Sequence, residues 1–313
     1  AIWQGLAQLH EDCLRTPDMA QTSLPLPNAK EPSNLKNWLG VSPFFLFAIL
    51  FILFPSLYLV EGSFINQEGQ FTLQNYADLL RSPAIVNAYK LSIQISAATA
   101  IGGGIFGFLL AYSITVGGLP RQLRSALITF SGVASNFAGV PLAFAFIATL
   151  GRRGFVTLLL KDNLNIDLYQ AGFDLYTFWG LTAIYMFFQF PLMVLVMVPA
   201  LDGLKREWRE AAENLGASYF QYWTRVAMPI LLPSILGSMI LLFGNAFGAY
   251  ATAYALTGGR LGIITIQIGA QIRGDVLHNP GLGYAMAMGM VIIMAVSLIG
   301  YSWLQKVSER WLR

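Results

Sequence analysis

Six stretches of this chain contain no Asp, Glu, Lys or Arg: 37–60, 91–120, 125–151, 175–201, 226–259 and 276–305. They are 24 to 34 residues long and hold 172 of the 313 residues. A helix needs about 20 largely apolar residues to cross the hydrocarbon layer of a membrane. A soluble helix of this length would carry a polar face on every turn. The runs are continuous rather than alternating with period two, which excludes a membrane β-barrel. The pattern predicts an all-α polytopic membrane protein with helices over 41–60, 91–115, 126–150, 177–200, 230–256 and 284–304. Only 11% of residues are charged, against about 25% in soluble domains. The net charge of +3 excludes a strongly basic nucleic-acid binder, and the composition excludes disorder or a coiled coil.

The 35 charges therefore sit between the spans. With both termini on one side, that side holds 12 lysines and arginines and the other side 7. Basic residues favour the cytoplasmic side, so both termini are expected in the cytoplasm, with Arg152 and Arg153 running against the bias. Residues 1–40 are read as a cytoplasmic extension without a cleavable signal, 41–305 as the six-helix domain and 306–313 as a cytoplasmic tail. Cys13 is the single cysteine, which excludes an intrachain disulfide.

Some connections carry local signals. Asn75 is placed to cap a short helix after the first span. The apolar run from Leu261 to Ile272 is too short to span, and fits either the membrane interface or an outer gate. Segment 202–228 differs from a simple connection, because eight of residues 202–225 are charged. Leu204, Trp208, Ala211, Ala212 and Leu215 recur at helical spacing. Gly216 follows as a helix terminator, and Ser218 can start a second short helix. Ala211 and Ala212 leave room for close approach of another backbone, while Glu210 and Glu213 can pair with a partner's basic groups or with Arg209. An amphipathic helix resting on the membrane surface fits these residues equally.

The run Glu210-Ala211-Ala212, then Gly216, Val226 and Met228-Pro229, resembles the Glu-Ala-Ala loop of the membrane subunits of binding-protein-dependent ABC importers. Val226 and Met228 are conservative departures from that pattern. The resemblance extends from about Val41 to Leu304 and includes Phe71-Thr72 with Asn75-Tyr76, and Thr257-Gly258-Gly259. It implies a type I importer permease fold in a bacterial inner membrane. It also implies a coupling loop, Glu210, Ala211, Ala212, Glu213, Leu215, Gly216, Ala217 and Ser218, seated in a groove of an ATPase subunit. The implied partners are two ATPase subunits, a second permease that is related but different, and a periplasmic or surface solute-binding protein. ATP and magnesium would be held by the ATPase; no cofactor is expected in this chain. The text from Pro191 to Ser218 is most similar to the spermidine/putrescine branch, which implies polyamine-like cargo. Phosphonate, sulfate, iron and sugar permeases share much of it.

Other motifs point away from enzyme chemistry. Gly102 to Gly107 matches a dinucleotide-binding pattern, but that pattern needs a preceding strand; within an apolar span it reads as close helix packing at Gly103 and Gly107, with Gly244 and Gly248 as a second such pair. No phosphate-binding loop occurs, and His10 and His278 lie far apart. Polar side chains inside the spans are costly in lipid unless they meet protein or water. Asn136, Gln189, Asn245, Tyr250, Thr252 and Tyr254 are thus candidates for a translocation path, with interhelical hydrogen bonding the other reading. Pro55, Pro141, Pro191 and Pro233 can kink their helices. No span carries a carboxylate, as a polyamine or a proton-coupled secondary transporter would favour; Glu61 and Asp174 stand only at outer ends.

Overall fold

The computed structural model describes residues 34–274 and 278–310. Cys13, most of the N-terminal extension and residues 311–313 lie outside the described residues. Among those described the architecture is all-helical, apart from an isolated bridge between Ile65 and Phe71. The chain divides into two units, 1–57 and 58–313.

In the first unit, helix α1 spans Asn34–Ala48 and passes through a wide π turn, Ile49–Leu53, into α2, Phe54–Ser63. The wide turn sits directly before Pro55. Proline has no N–H to give to the preceding turn and its ring crowds that turn's carbonyl, so the helix absorbs the conflict by widening. Phe54 N–H accordingly bonds five residues back, to Ile49.

The second unit continues from Tyr58. After it come α3 (Gln74–Arg81), α4 (Pro83–Val116), α5 (Arg121–Asn136), α6 (Val140–Leu150), α7 (Phe155–Leu164) and α8 (Phe178–Asp202). Beyond lie α9 (Arg206–Asn214), α10 (Tyr219–Tyr222), a π turn Trp223–Ala227, α11 (Met228–Phe247), α12 (Ala251–Thr257), α13 (Ile264–Arg273) and α14 (Pro280–Arg310). The core is built on α8, whose Leu181, Ile184, Tyr185, Met193, Val194 and Met197 are buried. Against it lies α4. A Cβ at Gly103 would stand 2.7 Å from Gln189 Cβ, and one at Gly107 would stand 2.5 Å from Met193 Cβ. The small residues are what let these two helices touch along their backbones. Gly244 packs likewise against Met294, but Gly248 ends α11 instead of packing, so the second glycine pair is not one contact. Many large apolar side chains, among them Phe106, Phe130, Val133, Phe144, Trp179 and Ile299, face outward, as lipid-facing residues should.

Six segments are long and apolar enough to cross a membrane: Gly40–Ser63, Pro83–Val116, Val140–Leu164, Phe178–Asp202, Tyr219–Phe247 and Pro280–Lys306. The third and fifth differ from the expected unbroken helices. The expected 126–150 helix is interrupted at 137–139. Its first half, α5, pairs through Arg124 with Asp202 at one end of α8 (2.5 Å). Its second half, α6, puts Leu142 and Ala143 into the cluster with Leu181 and Ile184 at the other end. Residues 121–150 therefore lie along the length of α8. The 140–164 segment turns at Gly151–Gly154 before α7. Pro141 does not kink a helix; it begins α6. The expected 230–256 helix stops at Phe247 and restarts as α12 after residues 248–250.

Asn75 is not a helix cap. It lies inside α3, is buried, and donates through Nδ2 to the carbonyls of Ser63 and Ile65, at 3.0 Å each. The side chain that serves the N-terminus of α3 is Thr72, whose Oγ1 accepts from Gln74 N–H at 3.0 Å. The run 261–272 forms α13, with Ile264 and Ile266 buried, so it is packed into the unit.

Candidate functional site in the 202–228 loop and the broken helices

The loop is two short helices joined by a tight turn. Leu215 closes α9, and Gly216 follows with φ +79°. Gly216 N–H bonds to Glu213 O and Ala217 N–H to Ala212 O, at 2.9 and 3.0 Å. This crossed pair satisfies the last carbonyls of α9 and needs a left-handed residue at its centre, which glycine supplies without strain. Ser218 then begins α10 in a reciprocal cap: its Oγ accepts from Gln221 N–H, and Gln221 Oε1 accepts from Ser218 N–H. The turn is thus specified at both ends by residues 212–221.

The loop is tied to the bundle through aromatic residues. The hydroxyls of Tyr112 on α4 and Tyr219 on α10 share a hydrogen bond. Trp223 meets the Tyr112 ring edge-on at 5.0 Å, and Tyr222 is buried. Beyond these anchors the loop faces outward. Leu215 is 88% exposed and Phe220 76%, while Glu210, Ala211 and Glu213 are exposed.

The charges of α9 are set against its dipole. The positive end of a helix dipole is the N-terminus, where carboxylates are favoured, and cations are favoured at the other end. Here Lys205 and Arg206 stand at the N-terminus, offset in part by Glu207 in the first turn, and the last turn carries no cation. Arg206 pairs with Glu210 at 2.7 Å and Arg209 with Glu213 at 3.5 Å, both in the weaker order with the base first. Both pairs are exposed and contribute little. The C-terminal half of α9 is acidic and is followed by exposed Leu215 and Phe220.

The polar residues of the spans separate into two groups. Asn136 and Asn245 are exposed, and Tyr254 is 51% exposed. Asn136 Nδ2 donates to Gly132 O of its own helix at 2.9 Å. The Tyr250 and Tyr254 rings stack at 5.4 Å, with the Arg273 guanidinium 5.7 Å from the Tyr250 centroid. Gln189 and Thr252 are instead buried. Gln189 Nε2 donates to Leu242 O at 2.8 Å, tying α8 to α11. Thr252 Oγ1 accepts from Gly139 N–H at 2.8 Å. The breaks of the third and fifth crossings therefore meet, and Asn136 lies at the edge of that joint.

The anchors Tyr112 and Trp223 and the ion pair Arg124–Asp202 are not among the residues that the sequence singles out. Aromatic residues flanking the ends of charge-free runs were the available signal. Segment 152–176 is also braced. Lys161 pairs with Asp167 at 3.1 Å, and Arg152 lies 3.8 Å from Asp174 and 5.4 Å from the Tyr169 centroid. The Lys161 hydrogen bond, helped by the backbone N–H of Gln170, holds the Asp167 carboxyl below the usual range.

The family described as "Binding-protein-dependent transport system inner membrane component" matches residues 103–313. The sulfate transport system permease protein CysT of Salmonella typhimurium is 29% identical over 68% of this chain and 72% of its own length. A probable sulfate transport system permease protein of Prototheca wickerhamii is 30% identical over 69% of this chain and 81% of its own. The spermidine/putrescine permease PotB of Haemophilus influenzae is 24% identical over 86% and 94%. A chain of a bacterial ABC transporter involved in the import of the acidic polysaccharide alginate superposes with a TM-score of 0.63 at 19% identity, over 88% of this chain and 96% of the other. A second alginate transporter structure, in complex with an alginate pentasaccharide-bound periplasmic protein, gives 0.64 at 16% identity over 86% and 93%.

Proposed function

The chain belongs to the family of binding-protein-dependent transport system inner membrane components, and from that premise we propose that it is the permease subunit of an ATP-driven importer whose cargo is sulfate. Family and fold carry the first part: a multi-pass inner-membrane permease rather than an enzyme. The observation that carries the cargo is relatedness to sulfate permeases over about two thirds of the chain. The charge-free spans support it, since a path without carboxylates does not repel a dianion and offers no counter-ion to a polyamine.

In this reading the 202–228 loop is the contact with the ATPase. Its rigid turn at Gly216 and its exposed Leu215, Phe220, Glu210 and Glu213 form a convex knob held on the bundle by Tyr112 and Trp223. Closure of two ATPase subunits pushes on this knob, and the push travels through α8 and α11 to the joint between the broken crossings. Asn136, Asn245 and Tyr254 then face the cargo path, completed by a second, related permease. A periplasmic binding protein delivers cargo at the opposite end. Both termini lie in the cytoplasm with the loop. Arg152, which departs from the charge bias, is accommodated by Asp174 and Tyr169 on the outer side.

The test is uptake by cells that express this chain together with a second permease, a solute-binding protein and an ATPase of the same transporter. Radiolabelled sulfate should accumulate in an ATP-dependent manner and radiolabelled spermidine should not. Spermidine uptake without sulfate uptake would overturn the cargo while leaving the permease assignment in place.

A further inference from the structure

A cavity of ≈ 350 Å³ lies at the loop-bearing end of the bundle, between the last turn of α4, the end of α8 and the loop. Its walls include Thr115, Asp202, Lys205, Arg206, Arg209 and Trp223. Three of these are cations and one is a carboxylate. The carboxylate is engaged by Arg124, Arg206 pairs with Glu210 at 2.7 Å, and Arg209 Nε reaches Glu213 Oε1 only at 3.5 Å. Trp223 Nε1 is a buried donor without a hydrogen-bond partner, and Arg209 Nε makes no hydrogen bond beyond that long ion pair. The N-terminus of α9 opens beside the same wall and receives no side-chain cap. Lys205 has its ammonium 5.8 Å from the Trp208 ring centroid and forms no ion pair among the described residues.

Lys205, without an ion pair, stands at the positive end of the α9 dipole, where a cation is disfavoured. An anion with several oxygens placed there offsets this and supplies acceptors for Trp223 Nε1 and Arg209 Nε. Arginine, lysine and tryptophan together at the end of a membrane-spanning bundle match a phosphate attached to an apolar body.

We propose that this cavity is a phosphate-recognition site, taking the phosphodiester of an anionic phospholipid headgroup or a free phosphate group. It is separate from the cargo path, and the proposal stands whichever cargo is carried. An occupied cavity would brace the base of the loop between α4 and α9, so anionic lipid would tune how the loop transmits force.

The experiment uses the purified full chain in detergent, with phosphatidylglycerol, phosphatidylcholine and inorganic phosphate as probes. Native mass spectrometry reads lipid retention and calorimetry reads phosphate binding. Phosphatidylglycerol should be retained over phosphatidylcholine. Lys205→Gln with Arg209→Gln should weaken retention at least about tenfold, the effect of losing one charge-assisted contact. Lys205→Arg and Lys161→Gln should keep it, which separates charge at the site from charge elsewhere and from misfolding. Binding of phosphatidylglycerol that inorganic phosphate does not displace assigns the site to lipid; binding and displacement by inorganic phosphate assign it to a soluble phosphate group. Equal retention of both lipids with no phosphate heat overturns the proposal, as does undiminished retention in the double variant.

Discussion

The backbone N–H of Gly139 donates to Oγ1 of Thr252 at 2.8 Å, across 113 positions of sequence. Each residue stands at the interruption of a different membrane crossing. Gly139 closes the break at 137–139 with φ +78° and ψ −149°, a region open essentially to glycine. Thr252 lies in the first turn of α12, just past the break at 248–250. Interrupting a helix frees polar backbone groups that lipid cannot satisfy. Here one crossing supplies the acceptor that the other's break requires. The two interruptions form one joint, in which this hydrogen bond ties the start of α6 to the start of α12.

Removing that acceptor while keeping the shape should therefore be costly. Thr252→Val leaves the N–H of Gly139 without its partner and should destabilise the protein by about 1–3 kcal/mol. Thr252→Ser keeps the oxygen and should recover most of that. Thermal unfolding of the purified protein measures both. Equal melting temperatures for the Val and Ser variants would show that the hydrogen bond does not hold the joint.

Close packing of α4 on α8 gives a second expectation. Gly107→Ala would press a methyl to within 2.8 Å of Phe190 O and 2.5 Å of Met193 Cβ, and a backbone carbonyl cannot step aside. Overpacking of this kind costs about 1–3 kcal/mol. At Gly132 on α5, no heavy atom lies within 4 Å of the place a methyl would take, so Gly132→Ala should be neutral or stabilise slightly through helix propensity. The order of the two melting temperatures is the readout.

Segment 152–176 should respond to acid in one direction. Asp167 is held below its ordinary value, first by the Lys161 hydrogen bond. A lowered folded value means that the pairing stabilises fully above the unfolded aspartate pKa, about 3.9, and is lost as pH falls through the folded value. The protection of residues 152–176 against hydrogen exchange, taken relative to the unstructured rate at each pH, should be unchanged from pH 7 to pH 5 and should fall only in stronger acid. Asp167→Asn should exchange faster at neutral pH and lose the acid response. An acid response retained in that variant would assign it to another group.

The number of crossings and the loop motif were legible because each rests on local rules. Charge-free length reports a span, and Gly216 with Ser218 reports a turn between two short helices. The breaks were not legible. Residues 137–139 and 248–250 are as apolar as their surroundings, and hydropathy does not register whether a backbone N–H has its partner four residues away or on another helix. Gly139 and Gly248 were visible as glycines but not as a pair of interruptions. Asn75 was misplaced for the same reason: its partners, Ser63 and Ile65, belong to the preceding helix end and bend, which a capping rule confined to the following helix does not see. Among the candidate path residues, type alone did not separate Gln189 and Thr252, which are buried, from Asn136 and Asn245, which are exposed. Burial depends on which face of each helix meets α8.

The turn at Gly216 allows the coupling proposal to be separated from simple loop stability. A side chain there would meet no heavy atom of this chain within 4 Å, while φ is +79°. Gly216→Ala therefore carries a conformational cost of about 1 kcal/mol and no clash. Asn and Asp tolerate the left-handed region better, so Gly216→Asn should leave the melting temperature nearly unchanged. If the loop enters a groove on the ATPase, that same space is filled in the complex. Gly216→Asn and Gly216→Asp should then both lower cargo-stimulated ATP hydrolysis at least about tenfold, equivalent to about 1.4 kcal/mol of lost contact. If the loop only rests on the membrane surface, the Asn variant should hydrolyse ATP as the unmodified transporter does. Stimulated hydrolysis in reconstituted vesicles, read beside the melting temperature, decides between a docking knob and a surface helix.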